Sequence, residues 1–134
     1  MLYGEEHVRR YIETDGQEGH EWRPGVPALL LTTTGRKSGK HYVTPLIYQS
    51  DGDATLVVAS KGGADAPPEW FRNLQANPDV EVQIWGEKFP ARARVATPEE
   101  KPAMWQKMAS VWPAYDDYQK KTDREIPVVV LDRV

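Results

Sequence analysis

Three cations and a serine lie together in the segment GRKSGK at residues 35–40. An arginine can donate two hydrogen bonds to one phosphate or carboxylate, a lysine adds a compact charge, and glycine lets the backbone approach a ligand closely. The segment therefore predicts an anion site, although a solvated basic hairpin explains the same residues. It is not a Walker A loop, because the G-x-x-x-x-G-K-[ST] spacing is absent.

Ser60 and Lys61 follow an apolar run and precede two glycines, two prolines and Trp70. Glycines allow backbone N–H groups to face a ligand, and the start of the following helix adds positive potential. The Trp70 indole is suited to form one wall of a pocket that binds a flat ring. The simpler interpretation is that Trp70 and Leu74, spaced four residues apart, belong to the core.

Tyr115 and Tyr118 are three residues apart and are expected to share a helix face. Phenols on one face can line a pocket, stack on a ring or supply a proton, although a core stripe with surface hydroxyls remains the alternative. The charged residues that follow predict a solvated or ion-paired face; they are Lys121, Asp123, Arg124 and Glu125.

Several chemistries are disfavoured by composition and spacing. The chain has no cysteine, which excludes disulfides and thiolate sites, and its three histidines lack metal-ligand spacing, so no metal site is predicted. Neither G-x-S-x-G nor G-x-G-x-x-G occurs. The net charge of −3 and the pI of about 5.6 argue against nucleic acid, although a single-strand-binding module with a basic turn is kept as an alternative.

The elements that must position these residues are short. Helices are predicted over 4–14, 69–75, from 97 onward and over 115–121; strands are predicted over 28–34, 42–49, 54–60, 80–85, 89–96 and 127–132. Residues 15–25 read as a loop and 50–53 as a hairpin turn, and Pro45 suggests an edge strand or a bulge. Hairpins join most strands, which predicts an α+β fold with about six mainly antiparallel strands, enough to curl into a barrel.

The length of 134 residues fits a single domain, 1–134, with an N-terminal helix and loop over 1–24 and the barrel over 25–134. No apolar run approaches the roughly 20 residues that span a bilayer, and the polar N-terminus predicts no secretory signal. A cytoplasmic location is expected. The N-terminal helix is free to dock on the barrel, cap a pocket or touch a membrane surface, and the chain is expected to be a monomer or a weak homodimer.

Four stretches together carry a family resemblance: LLLTTTGRKSG at 29–39, TPLIY at 44–48, VVASKGGADAPPEWFRNLQANP at 57–78 and WPAYDDYQKKTDREIPVVVL at 112–131. In this order and spacing they resemble the deazaflavin-dependent nitroreductase family, reductases that use coenzyme F420. The resemblance implies a split β-barrel of the flavin-reductase type. It also implies an F420H2-dependent oxidoreductase that passes a hydride to an electron-poor small molecule, such as a quinone, a nitroaromatic, or a conjugated enone or lactone.

The resemblance also implies roles for particular residues. The cofactor-binding positions are Arg36, Lys37, Ser38, Tyr42, Val43, Thr44, Pro45, Leu46, Ile47, Val58, Ala59, Ser60, Lys61, Glu69, Trp70, Phe71, Arg72, Asn73 and Tyr115. The catalytic positions are Ser60, Tyr115 and Tyr118, and the substrate positions are Ile47, Trp112 and Tyr118. The residues alone leave two alternatives open, an FMN-binding oxidoreductase and a non-enzymatic deazaflavin carrier.

Overall fold

The computed structural model describes residues 2–134, and in this part of the chain four helices flank one curled sheet of eight strands. The helices are α1 (Gly4–Glu13), α2 (Glu69–Ala76), α3 (Lys101–Val111) and α4 (Ala114–Lys120). The strands are β1 (Glu21–Arg23), β2 (Val26–Thr34), β3 (His41–Ile47), β4 (Gln49–Asp51), β5 (Ala54–Val58), β6 (Asp79–Ile84), β7 (Glu87–Val95) and β8 (Val128–Arg133). A 3₁₀ turn covers Lys61–Gly63.

The strand count of about six was too low, because two strands of three residues escaped the sequence pattern. β1 lies in the region predicted as a loop, and β4 overlaps the predicted turn at 50–53. β1 is held by pairing with the start of β2, where Glu21 faces Pro27, and β4 pairs with β5, where Ser50 faces Thr55. Three residues are too few to show a hydrophobic period, so only the pairing partner defines such strands.

The sheet is antiparallel throughout, in the order β1-β2-β6-β7-β8-β5-β4, with β3 on the other edge of β2. β1 pairs only with the start of β2, so the long path of the sheet runs from β3 through β2, β6, β7, β8 and β5 to β4. Its two ends, β3 and β4, are separated in sequence by Tyr48 alone. The sheet curls so that its two ends approach each other without closing, which confirms the predicted split barrel. β3 pairs with β2 alone among the described strands, so Pro45 lies on an edge strand as expected.

Strands β5 and β8 are buried on both faces because alternate residues face two different cores. Leu29, Val57 and Leu131 point into the barrel, where the aromatic side of α2 packs. Leu56 and Val130 point outward against Met108 and its neighbours beneath α3 and α4. Strand side chains alternate between faces, which explains why these two strands read as continuous apolar runs.

Specific hydrogen bonds fix the start of α3 and the position of α1. The Thr97 hydroxyl accepts from the Glu100 N–H at 3.2 Å, and the Glu100 carboxylate accepts from the Thr97 N–H at 2.9 Å, which confirms the predicted capping box before α3. On α1, the buried Tyr11 donates to the Ala28 carbonyl at 3.0 Å and accepts from the Trp85 N–H at 3.0 Å. These bonds dock α1 on the barrel beside β3.

Candidate functional site

Two cavities lie along β3 and share Trp70 as a lining residue, and we refer to them together as the groove. The barrel cavity, of about 370 Å³, lies in the split of the barrel between β3, the end of β5, α4 and the N-terminal segment. The turn cavity, of about 480 Å³, lies between the β2–β3 turn and α2. Trp70 lines both cavities and also packs in the barrel core, so the two interpretations of this residue are compatible.

Strand β3 forms the floor that joins the two cavities. Tyr42 and Thr44 line the turn cavity, whereas Pro45, Leu46 and Ile47 line the barrel cavity. Val43 lines neither of them; together with Thr44 and Pro45 it borders a separate cavity of about 360 Å³ under α1.

The turn cavity is built by the basic turn and by two polar residues of α2. The Arg36 guanidinium donates to the Asn73 side-chain carbonyl at 2.9 Å and forms an ion pair with Glu69 at 2.8 Å. Gly35 leaves room for the Tyr42 ring here, because a Cβ at this position would lie 2.8 Å from that ring. The turn is thus held against the start of α2, and its residues Arg36, Lys37 and Ser38 face one cavity.

Charge in the turn cavity is only partly compensated. Hydrogen bonding and charge from Arg36 hold the pKa of Glu69 below its ordinary value, so this carboxylate stays ionised and neutralises the arginine. Lys37 makes no ion pair within the described residues and contributes a free positive charge. The cavity therefore favours an anion such as a phosphate or a carboxylate.

The barrel cavity is largely apolar and contains two hydroxyl groups with no protein partner. Ser60 and Tyr115 are 8% and 5% exposed, line the cavity, and make no side-chain hydrogen bond to any residue of the described chain. The Tyr118 hydroxyl instead accepts from the Trp112 indole N–H at 3.3 Å. Burial raises the pKa of Tyr115, with a smaller contribution from Tyr118, so Tyr115 keeps its proton and can donate a hydrogen bond.

Ser60 lies at the start of a loop whose backbone is unusual. Lys61, Gly62 and Gly63 have φ values of +48°, +64° and +86°, a left-handed run in which lysine is disfavoured. The predicted solvated face at residues 121–125 is wrong for Arg124, because this half-buried side chain donates to backbone carbonyls of the loop. Glu125 does form an exposed ion pair, with Lys101 at 3.0 Å.

The N-terminal segment supplies a wall of the barrel cavity that the sequence patterns did not predict. Its lining residues are Leu2, Tyr3, Gly4, His7 and Trp22. The Trp22 indole N–H donates to the Leu2 carbonyl at 3.0 Å, and its ring lies 5.4 Å from that of Trp112. The Arg23 guanidinium lies 4.4 Å from the Trp22 ring centre and 5.2 Å from that of Trp112. The only sequence signal was a large aromatic residue in an otherwise polar, glycine-rich loop.

The structure gathers most of the predicted site residues around the groove. The lining residues among them are Arg36, Lys37, Ser38, Tyr42, Thr44, Pro45, Leu46, Ile47, Val58, Ser60, Lys61, Glu69, Trp70, Asn73, Trp112, Tyr115 and Tyr118. Four others do not line it. Val43 faces α1, Ala59 and Phe71 are buried in the core, and Arg72 is exposed on the outer side of α2.

Other kinds of site receive no support from the described residues. Within 2–134, no three His, Asp or Glu side chains converge as a metal site would require. No helix in this range has the length and apolar character needed to cross a bilayer.

The fold is a curled antiparallel barrel. Its groove has space for a flat ring at one end and for an anion at the other, which is typical of flavin-reductase-like proteins. Comparison with known proteins makes the class specific. A family model for F420H2-dependent quinone reductases matches residues 3–133, and the chain belongs to this family. It is 42% identical over 130 residues to the F420H2-dependent quinone reductase Rv1261c of Mycobacterium tuberculosis, with 95% of this chain and 87% of the relative covered.

Solved structures agree with this assignment. The structure of an F420-H2-dependent reductase, FDR-A, is similar with a TM-score of 0.74 and 41% identity, covering 79% of this chain and 94% of that one. A second structure, a domain-swapped dimer, has a TM-score of 0.76 and 38% identity over 95% of both chains. The chain is therefore an F420H2-dependent oxidoreductase with coenzyme F420 as its cofactor. The FMN alternative is not supported.

The residues present fit this cofactor. A deazaflavin with a phosphate and a polyglutamate tail needs cationic and N–H donors for the tail, which the turn cavity offers through Lys37, Ser38 and Arg36. It also needs an apolar cleft for the ring, which Trp70 and Leu46 border. The unpartnered hydroxyls of the barrel cavity leave donors for polar atoms of a ligand.

Proposed function

We propose that this chain reduces quinones, with the cofactor tail in the turn cavity and the reacting ring in the barrel cavity. The observation that carries the proposal is that these two cavities share Trp70 as a lining residue. One contains a cation without an ion-pair partner, and the other is apolar with Ser60 and Tyr115 hydroxyls that have no protein partner. The quinone acceptor is taken from the name of the family and of its relatives.

Lys37, Ser38 and Arg36 would hold the tail, and Trp70 with the β3 floor would border the ring. Reduced coenzyme F420, when bound, supplies a hydride donor with the shape of a flavin. The protein's contribution is to orient the two reactants and to exclude water from the space between them. The anionic end would lie in the turn cavity and the two hydroxyls line the barrel cavity, so binding and chemistry would use different residues.

Ser60 and Tyr115 are the polar groups nearest to the reaction. Negative charge develops on the acceptor oxygen during reduction, and the Ser60 hydroxyl would donate a hydrogen bond to it. The Tyr115 phenol, which burial keeps protonated, would orient the acceptor or supply the proton that follows. Tyr118 is the second candidate for that proton, although its hydroxyl already accepts from Trp112.

The acceptor would lie against the aromatic wall formed by Trp22, Trp112 and Tyr118, with Ile47 opposite in the same cavity. Planar rings bind favourably to aromatic side chains through stacked or edge contacts. This wall favours a flat quinone over a small aliphatic enone. Nitroaromatics also have a flat ring, so the comparison of a quinone with a nitroaromatic as acceptor is the critical one for this proposal.

The test is an acceptor panel with the purified chain and reduced F420. The panel contains 2-methyl-1,4-naphthoquinone, a nitrofuran and cyclohexenone, with oxidation of the deazaflavin followed by absorbance and the Tyr115→Phe variant run in parallel. We expect the highest kcat/KM with the naphthoquinone and a large loss in the variant. A preference for the nitrofuran or the enone would overturn the quinone assignment. Tight F420 binding with no reduction of any acceptor would instead favour a carrier.

A further inference from the structure

The Arg124 guanidinium donates three hydrogen bonds to backbone carbonyls close to the barrel cavity. The proposed hydride transfer gives this side chain no direct role. One of its terminal nitrogens donates to the Ser60 carbonyl at 2.8 Å and to the Ala59 carbonyl at 3.3 Å, and its Nε donates to the Ala64 carbonyl at 2.8 Å. The same side chain therefore binds the backbone just before and just after the 3₁₀ turn Lys61–Gly63.

The loop needs such support because it leaves the sheet at this point. The Ala59 N–H still donates to the Pro127 carbonyl at 3.1 Å, which extends the β5–β8 ladder by one residue. Beyond it, Lys61, Gly62 and Gly63 have positive φ values in succession, a conformation that surrounding contacts must maintain. Arg124 supplies hydrogen-bond donors where the neighbouring strand no longer does.

The loop is also packed closely against α4, which carries Tyr115 and Tyr118. A Cβ on Gly63 would lie 2.7 Å from the Tyr118 carbonyl oxygen, so only glycine permits this approach. Just beyond α4, the Thr122 hydroxyl donates to the Asp65 carboxylate at 2.8 Å. The Gln119 side chain donates to the Arg124 carbonyl at 2.8 Å, which ties Arg124 itself to the helix.

We propose that Arg124 is a positioning residue that fixes the loop carrying Ser60 relative to the Tyr115 side of the barrel cavity. This inference rests on the proposed roles of Ser60 and Tyr115. Ser60 comes from the end of β5 and Tyr115 from α4, and no hydrogen bond joins their side chains. Arg124 links the two walls through backbone groups, and the distance between the two hydroxyls depends on that link.

The experiment compares Arg124→Lys and Arg124→Ala with Arg94→Ala. Arg94 is a suitable control because it makes equally short bonds, at 2.7 Å to Glu100 and 2.9 Å to Asp132, but does not line the groove. Amide hydrogen exchange is measured on the cofactor-free chains, followed by the Kd for F420 and by kcat and KM for the naphthoquinone.

We expect faster exchange across residues 60–65 in both Arg124 variants and no change there in the control. We expect kcat to fall by about tenfold to a hundredfold in Arg124→Ala, with a smaller loss in Arg124→Lys and little change in the acceptor KM, because small displacements of aligned groups are costly. If Arg124→Ala does not fold, Arg124→Lys carries the test alone.

Unchanged exchange at 60–65 in Arg124→Lys would overturn the proposal, as would a loss of kcat in Arg94→Ala of the same size. Failure of the proposed function looks different. In that case the unaltered chain reduces no quinone, while the change in hydrogen exchange on replacing Arg124 remains.

Discussion

The two ends of the groove differ in how they are assembled. The turn cavity depends on four consecutive residues, 35–38, and on two positions one helical turn apart on α2. The barrel cavity draws on segments far apart in the chain: the N-terminal segment, β1, β3, the loop after β5, and α4. The cations of the first are neighbours in sequence, although the turn is held by contacts of Arg36 with α2, whereas the walls of the second come from several separate segments.

The physical conditions at the two ends also differ. Lys37 is exposed, so its attraction for an anion is weakened by water and by salt. Ser60 and Tyr115 are almost fully buried, where a hydrogen bond to developing charge is worth more because little water competes. The comparison suggests that the exposed end contributes affinity and the buried end contributes rate.

The largest expected effect comes from replacing Tyr115 by phenylalanine. The change removes a buried hydroxyl that has no protein partner, and kcat should fall by about a hundredfold while the F420 Kd changes by less than about twofold. Steady-state kinetics with the naphthoquinone and a fluorescence titration measure the two quantities. An unaffected kcat would mean that Tyr115 serves only for packing.

Replacing Arg36 and Lys37 together by alanine addresses the other end of the groove. Loss of charge-assisted hydrogen bonds should raise the F420 Kd by about tenfold, while kcat at saturating cofactor stays within about twofold. Added salt should weaken binding in the unaltered chain more than in the variant. The control is Arg72→Ala, an exposed arginine outside the groove. The assignment fails if the titration gives the same Kd for the double variant and the unaltered chain.

A smaller effect is expected at the N-terminal wall of the barrel cavity. Trp22→Ala should raise the KM for the naphthoquinone by about three- to tenfold and leave the F420 Kd nearly unchanged, since aromatic pairs contribute on the order of 1 kcal/mol. Trp85→Ala is the matched control, because the Trp85 ring stacks on His20 at 3.9 Å and does not line the cavity. Equal changes in the two variants would remove Trp22 from the acceptor site.

The smallest effect concerns stability outside both cavities. His20 lies 2.7 Å from the Tyr48 hydroxyl and stacks on Trp85 at 3.9 Å, and burial lowers its pKa below the ordinary 6.5. The unfolded chain therefore binds a proton at His20 more readily than the folded chain. The contribution of neutral His20 to the free energy of unfolding is complete above pH 6.5 and is lost as pH falls through the lowered pKa. A Tm series across this range should fall less steeply for His20→Gln, and parallel curves would contradict the assignment.

Sequence patterns predicted the elements that are long and periodic. The six longer strands, the four helices and the capping box at Thr97 all depend on local residue types, and the structure confirms them. β1 and β4 were missed because three residues cannot show a period. Their existence depends on pairing with β2 and β5.

The candidate site divides in the same way. The basic turn could be predicted because its cations and glycines are neighbours in sequence. The assignment of Ser60 and the tyrosines to one site came only from the family resemblance. Trp22 was missed because its ring meets Trp112, 90 positions away in the chain. Arg124 was misjudged because a charged residue among other charged residues favours a solvated face, whereas its three carbonyl partners belong to residues 59–64.

By itself, the sequence determined the short strands joined by hairpins, the glycines of the turns at Gly35 and Gly63, and the cationic turn. These are consequences of side-chain size and charge over a few residues. Only the tertiary structure decided which hydroxyls remain without a partner, which aromatic rings form the cavity wall and which cation supports a loop. Such properties depend on burial and on contacts between residues far apart in sequence, and they arise only when the barrel brings those residues together.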